Sequence, residues 1–501
     1  MERPLDLFDR VRQWDDLTAF VAPGDDGLRV GVVSGRRRQG KSFLLRRIAR
    51  ANAGLYHQAQ ELERTQALDR FGDDVAHALG LPSGQLRFTD WEAALRTALG
   101  YPPRSDTQPA AFAPAGPSRI LILDELPYLL GHSPEIPSVL QELHDEARDL
   151  ALPTARVLVC GSALSIMTDL LSGTRPLRGR AHLDMTVQPF DYRTAADYWG
   201  LADSPELAFL THTVFGGTAG YRSLVDQRPT SVEEFGAWLG GNVLNPAHAL
   251  YGEKDYLLRE DTNIGDKQLY NAILASVSVG NHTPKDIGGP LGRDTNSLRH
   301  PLGVLVDSGF LLKVDDQLTQ RRPRYFLADP IVRFSEVVIG PYRPLLEEGG
   351  AAEAWKLAAP EVRSRIFGPH FEYLARVWTA QYSGDRWGGL ALGEVGPGVV
   401  NDPSGRAQHE VDVVAVPRGR RAHESSTPIV VLGEAKATRA RRGPRDLARL
   451  EHIRNLLVER GRDAAGAHLA LFSRDGFDHE LTKTAFTRPD VHLISLADLY
   501  S

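Results

Sequence analysis

A glycine-rich segment with a lysine and a serine lies between an apolar run and a helical pattern. It reads Gly35-Arg36-Arg37-Arg38-Gln39-Gly40-Lys41-Ser42 and continues into Phe43. The glycines let backbone N–H groups converge on phosphates, at the positive end of the following helix. Lys41 would reach the β- and γ-phosphates, and the Ser42 hydroxyl would ligate Mg²⁺. The segment predicts an ATP site over residues 35–43. A simple glycine-rich turn with a surface lysine fits this strand-to-helix context less well.

Two adjacent carboxylates end a second apolar run, Arg119-Ile120-Leu121-Ile122-Leu123-Asp124-Glu125. Such a run is typical of a strand buried on both faces of a parallel sheet, and ligands bind at the carboxyl ends of those strands. Asp124 would hold Mg²⁺, and Glu125 would orient and polarise the attacking water. The pair could merely be the polar end of a strand. Downstream of a phosphate loop, it favours hydrolysis over passive nucleotide binding.

A third apolar run, Ala155–Cys160, ends in Gly161-Ser162. With the usual strand order, Ser162 would lie beside the Asp124 strand, where its hydroxyl could sense the γ-phosphate. Cys160 is interpreted as a small buried apolar side chain, because no paired histidine is apparent.

These motifs, together with the segments Pro176-Leu177-Arg178-Gly179-Arg180 and Gly216–Tyr221, resemble the archaeal-type P-loop ATPase family, relatives of the AAA+ and STAND ATPases. The resemblance implies that Arg180 lies near the γ-phosphate or acts as a finger at a subunit interface. A solvated surface arginine is the alternative. The role of Gly216–Tyr221 is left open, since Thr218-Ala219-Gly220 departs from the family pattern.

Composition sets limits on the class of protein. The 501 residues suggest about three domains, and four small ones are allowed. A single cysteine excludes an intrachain disulfide, and the N-terminus lacks a signal-peptide profile, so we expect a cytoplasmic protein. No apolar stretch is long enough to span a bilayer, and no membrane partner is expected. With a formal net charge of -6, a nucleic-acid surface would have to be a local patch.

Turn-forming residues and hydrophobic periodicity divide the rest of the chain into segments. The Pro/Ala-rich residues 101–117 are predicted to form an insertion before the Asp124 strand. Residues 192–259 are predicted to be helical, as a lid behind the nucleotide. Helices predicted over 267–277, from 283, and over 295–310 precede two strands, 311–314 and 324–327.

Three helices and a hairpin are the order of a winged helix, whose third helix would enter the DNA major groove. The charge for phosphate contacts would come from Arg293, Arg299, Lys313, Arg321, Arg322 and Arg324. Winged helices in ATPases can instead serve as protein-binding or lid modules. Pro301 is expected to kink the third helix.

The last segment carries a second candidate chemistry. A helix over 367–378 bears Glu372, a strand over 410–416 bears Asp412, and a strand over 429–436 places Glu434 and Lys436 on one face. This arrangement resembles the PD-(D/E)xK nuclease superfamily, also found as the C-terminal domain of archaeal-type ATPases. The resemblance implies Mg²⁺ on Asp412 and Glu434, assisted by Glu372, with Lys436 positioning water. An exposed strand with alternating charges would also show the Glu-x-Lys pattern. A basic rim for a polyanion follows: Arg439, Arg441, Arg442, Arg445 and Arg449.

The predicted architecture is an α/β protein: a P-loop NTPase parallel sheet (1–191), a helical lid (192–262), a winged helix (263–345) and an α/β restriction-endonuclease-like domain (346–501). The leading hypothesis is an ATP-hydrolysing switch acting on DNA, with a Mg²⁺-dependent nuclease domain. The alternative is an ATP-regulated scaffold or transcriptional regulator whose terminal domain binds a partner without cleaving DNA. A homo-oligomer or a regulatory protein partner is allowed by either hypothesis.

Overall fold

The computed structural model describes residues 2–24, 27–103, 119–260, 265–319 and 323–501. The chain divides into two compact units. The first comprises Met1–Pro189, Thr218–Gly220 and Tyr256–Gly265, and the second comprises Phe190–Gly217, Tyr221–Asp255 and Asp266–Ser501. The predicted insertion falls mostly on residues 104–118, which lie outside the described residues.

The first unit alternates strands and helices. Its elements are α1 (Val11–Val21), β1 (Leu28–Ser34), α2 (Lys41–Ala51), β2 (Leu55–Gln58), α3 (Arg64–Ala78), α4 (Trp91–Leu99), β3 (Arg119–Asp124), α5 (Leu126–His132), α6 (Ile136–Asp149), β4 (Ala155–Gly161), α7 (Leu164–Asp169) and β5 (Ala181–Thr186).

These five strands form a parallel sheet in the order β2-β3-β4-β1-β5. Its two faces are both buried: Val32 packs into a core with Leu68 and Leu140, whereas the next residue, Val33, packs into a second core with Leu17. Burial on both faces explains why the strands are continuous apolar runs rather than alternating ones. All three candidate strands, β1, β3 and β4, end at the same edge of this sheet.

The second unit begins with helices, two of which contain residues of both units. They are α8 (Tyr192–Trp199), α9 (Pro205–Phe215), α10 (Ala219–Arg222), α11 (Phe235–Gly241) and α12 (Glu253–Glu260).

Three helices and a hairpin follow: α13 (Lys267–Ser278), α14 (Pro284–Leu291), α15 (Arg299–Asp307), β6 (Leu311–Asp315) and β7 (Pro323–Leu327). The Asp266 side chain accepts a hydrogen bond from the Leu269 N–H and so caps α13. The third helix begins at Arg299, later than predicted, which places Pro301 in its first turn. A proline there removes no helical hydrogen bond, so the physical reason for the expected kink is lost.

The remaining elements are α16 (Pro330–Phe334), a π-helical segment (Ser335–Ile339), α17 (Gly340–Glu347), α18 (Ala351–Leu357), α19 (Ala359–Glu361), a second π-helical segment (Val362–Phe367), α20 (Gly368–Gln381), β8 (Leu392–Asp402), β9 (Ala407–Pro417), β10 (Val431–Lys436), α21 (Pro444–Glu459), β11 (His468–Ser473), α22 (His479–Thr487), β12 (Val491–Ser495) and α23 (Leu496–Tyr500).

Strands β8 to β12 form a mixed sheet in the order β12-β11-β10-β9-β8. Strands β8, β9 and β10 pair antiparallel, and β10, β11 and β12 pair parallel. Helix α20 packs against β8, β9 and β10, and α21 packs against β8, β10 and β11. The mixed α/β class is therefore confirmed. Within the described part of the chain, no helix combines the length and the apolar character needed to cross a membrane.

Candidate functional site

The loop between β1 and α2 has a backbone that glycine makes possible. Gly35 has φ 147° and Gly40 has φ 91°, both in the region that favours glycine. A Cβ on Gly35 would lie 2.6 Å from the Val187 carbonyl oxygen. Helix α2 begins directly after Gly40, so its unpaired N–H groups face the loop. The loop and the helix N-terminus together form an anion-binding arrangement.

A segment distant in sequence holds this loop. The Gly220 N–H donates a 2.8 Å hydrogen bond to the Arg38 carbonyl oxygen. A Cβ on Gly220 would lie 2.7 Å from the Arg38 Cβ and 2.9 Å from its carbonyl oxygen. This close approach gives a physical reason for glycine in the segment whose role the sequence left open.

The side chains of the loop are partly engaged by the protein. Lys41 is buried and its Nζ donates a 3.0 Å hydrogen bond to the Arg36 carbonyl oxygen. Arg37 forms an ion pair with Glu260. The Gln39 carbonyl oxygen accepts a hydrogen bond from Arg10, and Gln39 itself is buried. The lysine ammonium thus lies against the loop. There it could exchange its hydrogen bond to the Arg36 carbonyl oxygen for one to a phosphate.

Ser42 and Phe43 occupy the first turn of α2. The Ser42 side chain is half-buried. Phe43 is exposed, and the Arg47 guanidinium lies 3.3 Å from the centroid of its ring. Phe43 is therefore placed beside the loop rather than in the core of the unit.

Asp124 ends β3 in a fully buried position. One carboxylate oxygen accepts a 3.0 Å hydrogen bond from the Glu125 N–H, and the other accepts one from the Tyr56 hydroxyl. Burial, with the charge of Asp124 second, raises the pKa of Tyr56, so the phenol stays a donor. Oxygen donors from Asp124 and Ser42 fit Mg²⁺, which prefers them and keeps several of its waters.

Glu125 lies one residue further, in the left-handed region with φ 57° and ψ 43°. A non-glycine residue there is uncommon and often marks a functional position. The Ser162 hydroxyl donates a 3.2 Å hydrogen bond to the Glu125 Oε2. Burial raises the pKa of Glu125, as does the Asp124 charge, while Lys41 and the Ser162 hydrogen bond oppose the rise. The structure thus brings Lys41, Asp124, Glu125 and Ser162 to one edge of the sheet.

Cys160 is buried in β4, and burial raises the pKa of its thiol, with the charge of Asp124 adding to the effect. A neutral, buried thiol is a packing group rather than a nucleophile.

Arg180 lies away from this edge. It precedes β5, whose first residue pairs with Val30 near the start of β1, whereas the phosphate loop follows the end of β1. Its guanidinium contacts both carboxylate oxygens of Asp145, at 3.0 and 2.8 Å. The structure does not bring Arg180 to the phosphate loop of its own chain.

In the second unit, Glu434 and Lys436 lie at the end of β10. The Lys436 Nζ is 3.0 Å from the Glu434 Oε1 and 4.0 Å from the Asp412 Oδ2. Arg449, on α21, forms an ion pair with the Glu434 Oε2. Glu434 is buried, and the charges of Lys436 and Arg449 compensate its negative charge inside the protein.

Asp412 lies in β9 at an irregularity of pairing. Gly396 pairs with Val414 and Gly398 pairs with Val411, so β9 contains one more residue than β8 between these pairs. The Asp412 Oδ2 accepts a 2.8 Å hydrogen bond from the Ala435 N–H of β10. A β-bulge redirects a side chain, and here it accompanies the contact between Asp412 and the Glu434–Lys436 strand.

Glu372, on α20, completes this acidic group. Burial raises the pKa of Glu372, with the charge of Asp412 as the second cause, and burial also raises the pKa of Asp412. The ligand atoms of Glu372, Asp412 and Glu434 do not form a cluster within 4.8 Å of one another; among the described residues, Asp402, His409 and His452 do. The oxygen donors suit Mg²⁺, but in this structure Asp412 and Glu434 form ion pairs instead of sharing one cation position with Glu372.

The predicted basic rim divides into paired and exposed arginines. Arg442 contacts Asp446 at 3.1 Å and donates to the Thr438 hydroxyl, and Arg449 pairs with Glu434. Three arginines are exposed: Arg439, Arg441 and Arg445.

Part of the hairpin that is predicted to face DNA contacts other strands of the same unit instead. The Gln317 N–H donates a 2.9 Å hydrogen bond to the Pro397 carbonyl oxygen of β8, and Arg324 pairs with Glu410 of β9 at 3.0 Å. Arg293, Arg299 and Lys313 are exposed, while Arg321 and Arg322 lie outside the described residues.

Sequence reasoning missed Tyr56, Glu260 and Arg376, and it named Gly220 without assigning it a contact. The Arg376 Nη1 donates a 3.0 Å hydrogen bond to the Asp412 carbonyl oxygen. Each of these residues belongs to an element far in sequence from its partner, and no local pattern indicates the contact. The glycine at 220 was the one visible signal, as part of a glycine-rich segment.

Comparisons with known proteins place the fold. No protein-family model matches the chain. An uncharacterized protein of Methanocaldococcus jannaschii is 23% identical over 322 residues, which cover 64% of this chain and 66% of that protein. The chain thus spans just under two thirds of the length of this curated relative.

Among solved structures, a Walker-type ATPase of Pyrococcus abyssi has a TM-score of 0.50 and 17% identity, covering 67% of this chain and 97% of that one. The ORC2 protein of Aeropyrum pernix, in ADPNP–ADP complexes, has a TM-score of 0.42 and 14% identity, covering 70% and 96%. The second likeness is too loose to add an argument. The first shows that, over the 67% of this chain that it covers, the fold is that of this Walker-type ATPase.

Proposed function

We propose that the chain binds ATP with Mg²⁺ and hydrolyses it at the edge of the parallel sheet. The observation that carries this proposal is the hydrogen bond from Ser162 to Glu125, beside the buried Lys41 and Asp124. A water-orienting carboxylate, a phosphate-binding lysine and a Mg²⁺ ligand are the parts that phosphoryl transfer to water needs.

Each residue has a separate task in this proposal. The loop N–H groups and Lys41 bind the phosphates, Ser42 and Asp124 would hold Mg²⁺, and Glu125 orients the attacking water. The bound Mg²⁺ would neutralise the charge on the phosphates. The raised pKa of Glu125 makes its carboxylate a stronger proton acceptor than an ordinary one.

The test compares Lys41→Ala with Glu125→Gln in the full chain. Lys41→Ala should lose tight ATP binding, because the phosphate charge is then left without its partner. Glu125→Gln should bind ATP within a few-fold of wild type and hydrolyse it at least about 100-fold more slowly. Fluorescent-nucleotide titration and phosphate release measure the two effects. Unchanged turnover in Glu125→Gln would refute the assignment and make Asp124 the next residue to test.

We further propose that the ATP site drives a switch that acts on DNA, with residues 346–501 as a PD-(D/E)xK nuclease-like domain and residues 263–345 as a winged helix. The observation in favour is the contact of Lys436 with both Glu434 and Asp412 near the buried Glu372. Asp412 and Glu434, with Glu372, would hold Mg²⁺, and Lys436 would position water.

A second candidate function has its own support. Both carboxylate oxygens of Glu434 form ion pairs with cations of the protein. In the hairpin, Arg324 pairs with β9, and the start of the β6–β7 loop is hydrogen-bonded to β8. These contacts favour an ATP-regulated scaffold or transcriptional regulator that binds a partner without cutting DNA.

Nicking of supercoiled DNA with Mg²⁺ or Mn²⁺ separates the two candidates. Under the nuclease proposal, Lys436→Ala and Asp412→Ala abolish nicking and leave ATP hydrolysis within a few-fold of wild type. DNA binding without metal-dependent nicking in the wild-type protein supports the scaffold instead. The same outcome leaves the ATPase proposal standing, since the two sets of residues lie in different units.

A further inference from the structure

Three side chains converge near the tip of the β8–β9 hairpin, apart from the two sites described above. Asp402 is the last residue of β8, His409 lies in β9, and His452 lies on α21. Their ligand atoms all lie within 4.8 Å of one another. Two imidazoles and one carboxylate are a frequent ligand set for divalent transition metals.

Both distances from the Asp402 carboxylate to the two imidazoles are close to those between ligands that share one metal ion. The Asp402 Oδ2 lies 3.2 Å from the His452 Nε2 and 3.5 Å from the His409 Nε2. With zinc–ligand bonds of about 2.0–2.2 Å, a tetrahedral angle separates two ligand atoms by about 3.4 Å. The two measured distances lie on either side of this value.

Hydrogen bonding alone does not account for the cluster. The Asp402 Oδ1 accepts a 2.8 Å hydrogen bond from the Gly405 N–H, and its Oδ2 faces the His452 Nε2. The His409 Nε2 is buried, and its partner within the described ranges, the Asp402 Oδ2 at 3.5 Å, lies at the limit of hydrogen-bond distance and outside good hydrogen-bond geometry. A buried polar atom that makes only a weak hydrogen bond is poorly compensated for the loss of its water partners. A metal ion would engage this nitrogen together with the other two ligands.

Packing fixes the positions of the three ligands. Val400 is paired with His409 across the β8–β9 ladder, and Val400 packs in one core with Leu450 and Ile453, which flank His452 on α21. The ligands therefore project from two paired strands and a helix that share a core. A site on such elements is preorganised, and binding need not order a loop.

We propose that Asp402, His409 and His452 bind one divalent transition-metal ion of the zinc class per chain, with the fourth position open to water or another ligand. Imidazole ligands favour such an ion over Mg²⁺, which prefers all-oxygen sites. The ion ties the hairpin tip to α21, so metal binding stabilises the folded chain by mass action.

The test uses the full chain, stripped of metal with a chelator and desalted. Zn²⁺ is titrated by calorimetry in an excess of Mg²⁺, and Co²⁺ binding is followed by its visible absorption, which is intense for tetrahedral sites. The expected result is one equivalent of Zn²⁺ per chain, a tetrahedral Co²⁺ spectrum and a higher melting temperature with Zn²⁺.

His452→Ala is the decisive variant, because the side chain is 50% exposed and its loss leaves the core intact. It should weaken Zn²⁺ binding by at least about tenfold and remove the Co²⁺ spectrum. His409→Asn should do the same. The matched control is His479→Ala, an exposed histidine of the same unit, which should bind Zn²⁺ like the wild type.

Equal melting temperatures of metal-free His452→Ala and wild type show that the variant folds. If His409→Asn does not fold, His452→Ala decides alone. The proposal is overturned if the wild type binds no Zn²⁺ under these conditions, or if His452→Ala and His479→Ala bind it equally well.

Discussion

The Ser162 hydroxyl donates a 3.2 Å hydrogen bond to the Glu125 carboxylate. These residues follow the ends of neighbouring parallel strands, β4 and β3, and are brought together only by the sheet. The bond restricts a half-buried carboxylate whose backbone is already in an unusual conformation. Ser162 is therefore placed to position Glu125 and, through it, the water that attacks ATP in the proposed reaction.

Ser162→Ala should lower kcat of ATP hydrolysis by roughly tenfold, because a net hydrogen bond of about 1–1.5 kcal/mol is lost. KM for ATP should change little, since Lys41 and the loop N–H groups remain. Steady-state kinetics measures both constants. The matched control, Ser172→Ala, removes an exposed serine of the same unit and should behave as wild type. A rise in KM with unchanged kcat would instead place Ser162 in substrate binding.

Gly220→Ala should weaken ATP binding, because the added Cβ would lie 2.7–3.1 Å from the Cβ, carbonyl oxygen and Cα of Arg38. The loop must then shift, which misaligns its N–H groups with the phosphates. A misplacement of about 1 Å can cost on the order of 100-fold in activity. Gly131→Ala is the control, since a Cβ there meets open space. Equal nucleotide affinity of the two variants would show that the Gly220–Arg38 contact is not needed.

Removing the exposed rim arginines should weaken DNA binding in a salt-dependent manner. The double variant Arg439→Ala and Arg441→Ala should flatten the slope of log affinity against log salt by about two units, because each phosphate contact releases roughly one counterion. Arg442 is left intact because it pairs with Asp446 and holds the turn before α21.

The charge-matched control for this experiment is Arg420→Ala with Arg421→Ala. Both arginines are exposed and follow β9, at the opposite end of the sheet from the segment after β10. An equal change in slope for both double variants would mean that overall charge, rather than the rim, determines binding.

The free energy of unfolding should fall as the pH is lowered from 6.5 toward 4. Burial lowers the pKa of His212 from an ordinary 6.5 to about 4, and its Nδ1 lies 2.8 Å from the His370 Nε2. In this pH window the unfolded chain binds a proton that folded His212 does not, so acid favours unfolding, by at most about 1.4 kcal/mol per pH unit for this residue.

Denaturant midpoints at pH 7 and pH 5 measure this effect. His212→Asn should reduce the difference between the two midpoints, while His370, whose pKa is also lowered by burial, keeps part of it. His479→Ala should leave the difference unchanged. An undiminished difference in His212→Asn would assign the pH dependence to other groups.

Much of the first unit could be predicted from short stretches of sequence. The order of strand, glycine-rich loop and helix at residues 28–51 and the apolar strands ending at Asp124 and Gly161 follow from composition and periodicity alone. Such patterns are local, and a buried parallel strand has few alternatives. The α/β class was therefore determined by the sequence, as were the position of Lys41 at the start of α2 and that of Glu125 directly after β3.

Other relationships depend on which elements become neighbours. The family resemblance implied that Arg180 lies near the γ-phosphate or at a subunit interface. The pairing of β5 with β1 places it at the other end of the sheet from the phosphate loop of its own chain, and the interface role stays a prediction. Pro301 was expected to kink a helix, yet the helix begins at Arg299 and the ring lies in its first turn. The start of β5 and the start of α15 are set by tertiary packing, which local propensity does not encode.

The C-terminal unit shows the same division. Alternation along β10 placed Glu434 and Lys436 on one face, but the β-bulge at Asp412 and the Arg449 contact arise from pairing and from helix α21. Asp402, His409 and His452 are separated by up to 50 residues and carry no metal-binding spacing, so their sequence gave no signal. Local sequence determined the elements and their buried faces, while the tertiary structure decided which side chains meet, because contacts between distant segments depend on register and packing.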